Sequence, residues 1–364
     1  MFSSRENFLQ AVRKNGSVLQ RAPAKWVDAE MCMTAVKQDG DALKYVPWNL
    51  RDRELCLAAV RQNGWALRDV PKELKDEKIC LAAVKNRGCA LEYVPKKLRD
   101  KEMCTAAIKN DAFAFEYIPK KLIDYSVCLI AVKQAGFILR DVPLKFVDYK
   151  LCSIAVKSYG CALEYIPQYI IDKNICRTAV RQDGSSLKYV PEKLQERDLC
   201  LAAVQSTGLA LKYVPEKLRD REMCLTAVQK NGEALKYVPE ELRGRELCMT
   251  AVQQDGQSLP YVPQNILNYQ LCFEAIKNNG TALEHVPENM IDYEMCLTAV
   301  KVCPKHDKHL FHTPTINYVP KAILDKRIYI NALLHDRLTS HYVDDSIIET
   351  LFQEELLEPA SADH

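Results

Sequence analysis

Cysteine and histidine are the residue types in this chain best equipped for nucleophilic or metal chemistry, and their spacing decides what they can do. Cys303, His306, His309 and His312 recur at three-residue intervals in "CPKHDKHLFH", a set of soft and borderline ligands able to hold Zn²⁺. The uniform interval is not the paired spacing of common zinc motifs, so a flexible polar loop is the competing reading. A nucleophilic thiolate needs a lowered pKa and a placed base, and the histidines offer none in a recognisable pattern. The sequence has no phosphate-cradling glycine loop, no His-Glu-x-x-His and no nucleophile elbow. Neither an enzyme nor a cofactor is expected.

Twelve of the 15 cysteines stand on one arithmetic series of 24 residues, from Cys32 through Cys56, Cys80 and Cys104 to Cys296. Equivalent positions on stacked helices lie about 8–10 Å apart, beyond the reach of about 7 Å at which a disulfide closes. The series therefore reads as reduced thiols packed as small apolar groups, in a reducing compartment. Cys89, Cys161 and Cys303 fall off it.

The elements that position these residues follow from the same period. "LCLAAVRQNGWALRDVP" is answered 24 residues later by "ICLAAVKNRGCALEYVP". Asp28, Asp52, Asp76, Asp100, Asp124, Asp148, Asp172, Asp220 and Asp292 stand four residues before the cysteine, where a helix N-cap accepts orphan amide hydrogens. Leu55, Cys56, Ala59 and Val60 make the apolar stripe of a three-turn helix. Gly64 is expected to end it in a left-handed cap, with a turn or two of α or 3₁₀ helix before Pro71. Ala112 alone interrupts the glycine column. A unit this small cannot bury its own apolar face and must stack on its neighbours. The expected fold is all-α, a right-handed or curved α-solenoid of about thirteen 24-residue helix-turn-short-helix repeats with degenerate terminal caps. Residues 1–301 form the solenoid, 302–317 an insertion in the last repeat, 318–344 a repeat remnant, and 345–364 a capping helix with an acidic tail.

Basic and acidic residues nearly cancel, 50 against 48, so bulk charge gives no sign of a polyanion partner. The start, "MFSSRENFLQAVRKNG", lacks an apolar secretory core, and no stretch approaches the length of a bilayer span. A soluble protein is expected.

Specificity in a solenoid resides in what varies. After the glycine the column reads Asp41, Trp65, Cys89, Phe113, Phe137, Cys161. Trp65, Phe113 and Phe137, with Cys89 and Cys161 between and beyond them, either fold back on their own helix ends or form an apolar strip for a protein partner. Five residues after the cysteine, Arg61, Lys85, Lys109, Lys133, Lys157 and Arg181 form a basic ladder. It either complements helix dipoles or is a track for nucleic acid or a phosphoinositide headgroup. The tyrosine column beginning Tyr45 and Tyr93 reads as half-buried structure.

The stretch from Asp220 to Leu242, with its "G-x-A-L-x-Y-V-P" core, resembles the repeats catalogued as domain of unknown function 4116. Proteins with these repeats are similar to effectors that Legionella-type intracellular bacteria deliver into host cells. The resemblance implies no catalytic residues, and this chain departs from it in placing cysteine where aliphatic residues are common. Glu354, Glu355 and Glu358 in "EELLEPASADH" resemble the glutamate-rich C-terminal signal of Dot/Icm type IV secretion substrates; an acidic capping helix is the alternative. Together these imply a non-enzymatic effector, secreted into the host cytoplasm, that binds a host or bacterial protein along the solenoid. The alternative is a binder of nucleic acid or an anionic lipid headgroup.

Overall fold

The computed structural model describes residues 4–302 and 315–335. The candidate zinc residues Cys303, His306, His309 and His312, and the candidate signal residues Glu354, Glu355 and Glu358, lie outside the described residues. The chain is an all-α repeat solenoid: the described residues contain α- and 3₁₀-helices and no strand. Its contacts divide it into two compact units that meet in sequence at Gln182 and Asp183. Among the described residues no helix is long and apolar enough to cross a membrane.

The third repeat, counting from the unit that carries Phe8, shows how each layer is made. Asp52 caps the α-helix Arg53–Gln62 by accepting from the Leu55 amide at 2.8 Å. Leu55, Cys56, Ala59 and Val60 are buried, which is the stripe read from the sequence. A six-residue 3₁₀-helix, Gly64–Asp69, follows directly, and the Asn63 side chain caps it through the Trp65 amide. Pro71 then leads into a three-residue 3₁₀ turn, Lys72–Leu74. All nine aspartates expected at N-caps accept the amide hydrogen three residues on. All twelve cysteines of the series are free and buried. The plug leucines Leu50, Leu74, Leu98 and Leu122 are only half-buried.

The glycines work differently from the expectation. No described residue has a positive φ, so Gly64 does not supply a left-handed cap; the helix ends instead at Asn63 in extended backbone, φ −143°. What excludes a side chain is the next layer. A Cβ on Gly64 would lie 2.5 Å from the Ala83 carbonyl oxygen, and on ten glycines of the column the same clash falls between 2.1 and 2.5 Å. Gly64→Ala therefore forces two layers apart. It should cost about 1–3 kcal/mol in urea denaturation, the range for an overfilled interior. Gly244→Ala, where nothing lies within 4 Å, should stay within about 0.5 kcal/mol of zero, a weaker cap offsetting a stiffer unfolded chain.

Candidate interaction surface

Stacking leaves two sets of orphan backbone groups at each joint, and side chains of the neighbouring layer satisfy them. On one side, the last helical residue of a repeat bridges backward. The Gln38 Oε1 accepts from the Gly16 amide at 2.6 Å while its Nε2 donates to the Lys14 carbonyl at 3.2 Å. Gln62, Asn86, Asn110 and Gln182 make the same paired clamp, and the Ser158 hydroxyl accepts from Gly136. On the other side, a long cation links the carbonyls that end successive 3₁₀-helices. Arg51 donates to Val46 at 2.9 Å and to Asp69 of the next repeat at 2.6 Å, Arg99 does the same for Val94 and Tyr117, and Lys75 reaches Tyr93.

Within residues 4–182 every joint carries at least one of these clamps except that between repeats five and six. There Ala112 replaces glycine, Gln134 makes no bond to its amide, and Ile123 stands where Arg51 and Arg99 stand in their repeats. The Ala112 methyl occupies the space that the other joints close. The joint keeps the Lys101–Asp124 pair at its exposed rim. Beside it opens a cavity of about 390 Å³ lined by Phe113, Phe115, Ile123 and Phe137, with Glu116, Lys120 and the Arg140–Asp141 pair at its polar wall. Phe113 is 61% exposed. Its ring lies 5.1 Å from that of Phe137, which in turn meets Tyr159 edge-on at 6.3 Å.

The expected strip is thus divided. Phe113 and Phe137 come together and recruit Tyr159, which the sequence reading passed over. Trp65, half-buried, packs edge-on against Tyr93 at 6.0 Å. Between them Cys89 donates its thiol to the Asp111 carboxylate at 3.1 Å, and burial, then that bond, push its pKa up to about 12. Cys161, one layer beyond Phe137, is half-buried. The series cysteines are equally far from nucleophiles, since burial pushes Cys56 and Cys80, for example, up to about 11. The tyrosine column is half-buried as expected.

The basic ladder occupies a separate face. Arg61, Lys85, Lys109, Lys133, Lys157 and Arg181 are exposed in the last turns of successive helices. None is in an ion pair among the described residues. An open cleft of about 750 Å³ includes Lys85, Lys101 and Lys109 together with Glu102. Across the three helices of repeats six to eight the charged residues are Lys133, Lys150, Lys157, Lys173, Arg177 and Arg181, with no acid among them.

Layers of this size and pattern match the family described as "Domain of unknown function (DUF4116)" at residues 4–51, 52–99, 100–147, 148–195, 196–243, 220–267, 244–291 and 268–348. The chain belongs to the DUF4116 family. Five consecutive matches advance by 48 residues, so one DUF4116 unit is a pair of the layers described above. No curated protein matches the chain.

A joint of a DUF4116 solenoid that lacks both clamps opens at lower cost than its neighbours, each missing hydrogen bond being worth about 0.5–1.5 kcal/mol. Amide hydrogen exchange followed by mass spectrometry should show segments around Ala112 and Ile123 exchanging about tenfold faster than the matching segments around Gly88 and Arg99.

Proposed function

We propose that this protein is a non-enzymatic interaction scaffold, a translocated bacterial effector that holds a host or bacterial protein on the surface of its first unit. The observation that carries this reading is the open joint between repeats five and six. It combines an exposed Phe113, a ring contact to Phe137 and a lined cavity in one place. Aromatic anchors beside a preformed pocket are what a protein partner uses most effectively. The protonated, buried thiols support a packing role for the cysteines rather than a catalytic one. Delivery by a type IV system into the host cytoplasm is supported by the Glu354, Glu355 and Glu358 pattern.

A second reading is favoured by a specific feature. Six exposed cations in register, none ion-paired among the described residues, form a track suited to nucleic acid or a phosphoinositide headgroup.

Capture from host lysate separates the two. The purified chain should retain a discrete protein that the Trp65→Ala/Phe113→Ala/Phe137→Ala variant loses by tenfold or more, about 1.4 kcal/mol, with unchanged helical circular dichroism. Recovery of nucleic acid alone, released by salt, would move the function to the ladder. Delivery is tested apart from binding: a reporter fused to the full chain should reach the host cytoplasm in a manner dependent on the secretion system, and a fusion lacking residues 345–364 should not. Equal arrival of both fusions would remove the proposed signal.

A further inference from the structure

The near-neutral chain is made of two oppositely charged halves. Residues 1–182 hold 31 basic and 21 acidic residues, a formal +10, whereas residues 183–364 hold 19 and 27, a formal −8. One column concentrates the difference. The residue after each repeat's proline is Lys72, Lys96 and Lys120 in three successive repeats of the first unit, and Glu192, Glu216 and Glu240 in three successive repeats of the second.

All six open the same local structure. Each begins a three-residue 3₁₀ turn behind a proline whose φ lies between −52° and −56°. All six are exposed, and none is in an ion pair among the described residues. Lys97 and Lys121 reinforce the first set and Glu241 the second, while Glu73, Lys193 and Lys217 offset them in part. A first-turn position favours an acid over a base, so the glutamates have a local rationale and the lysines have none. The repeats run from Pro23 to Pro287 without insertion or deletion, so both rows advance by one layer per charge, about 8–10 Å. The matching row of anions, Glu192, Glu216 and Glu240, has the same 24-residue period and so the same pitch.

We propose that the lysine edge of the first unit docks on the glutamate edge of the second unit of another copy, giving a weak, salt-sensitive self-association. The contact uses neither the Phe113 nor the Phe137 ring, although Lys120 also lines their cavity, and it would stand if the partner reading failed. Exposed ion pairs contribute little singly, and a row of them in register contributes by summation and by steering.

Sedimentation velocity of the full chain over a concentration series tests this. Association is expected at about 0.01 M salt, where screening extends over about 30 Å, and not at about 1 M, where it falls to about 3 Å. Reversing one edge (Lys72→Glu/Lys96→Glu/Lys97→Glu) should weaken self-association about tenfold or more, as should reversing the other (Glu192→Lys/Glu216→Lys/Glu240→Lys). Lys120 is left intact because it lines the aromatic cavity. Combining both reversals in one chain should restore association that is again lost at about 1 M salt, whereas aggregation of a misfolded variant would persist there. A chain that stays monomeric at low salt, association indifferent to either reversal, or failure of the combined variant to recover would each overturn the proposal.

Discussion

The structure depends on one contact: the glycine backbone of each repeat laid against an alanine carbonyl of the next. With a hypothetical Cβ only 2.1–2.5 Å from that oxygen, there is no room for any side chain at the glycine. Close approach at this point keeps the neighbouring interior columns small. Cysteine, alanine and valine fill them at essentially zero exposure, and no layer has a separate core of its own. The same approach brings the end of one helix within reach of the next repeat's glutamine or asparagine, so that one side-chain amide satisfies an orphan donor and an orphan acceptor together. Packing and polar satisfaction are therefore set by a single spacing.

A scaffold so uniform acquires a site by local failure of that spacing. One methyl group at Ala112 keeps a joint from closing as the others do, and Ile123 withholds the cation that would have tied its far side. The polar groups that elsewhere seal the joint are replaced by rings and a cavity. Apolar surface that would be buried between layers is then offered outward, where a partner gains by covering it.

Much of the fold was legible because the period is exact in length and each cap uses residue chemistry that acts within one turn. The aspartate caps, the buried cysteines and the half-buried tyrosines follow from local rules and from comparison of columns. The glycine was assigned the wrong reason: a C-terminal glycine commonly marks a left-handed cap, whereas here its neighbour lies 19 residues away at the Ala83 carbonyl and is invisible to local reasoning. The clamp column escaped notice because it reads mostly Gln, Asn or Ser, with Lys14 and Lys230 among them, a mixture that passes for ordinary surface. Ala112 was visible as an exception, yet its consequence needed the third dimension, as did the packing of Trp65 against Tyr93.

Net charge is a coarse guide for a related reason. It sums over a chain whose halves carry opposite signs, and a sum of +2 conceals a first unit with an acid-free set of helices in repeats six to eight. In a compact domain such segregation would be blurred by folding, since residues distant in sequence share one surface. A solenoid keeps sequence order in space within each unit, because each layer touches only its neighbours. A run of like charges along a column therefore remains a run on the surface, and the field it produces adds constructively over successive layers. For repeat proteins the informative electrostatic quantity is charge per column and per unit.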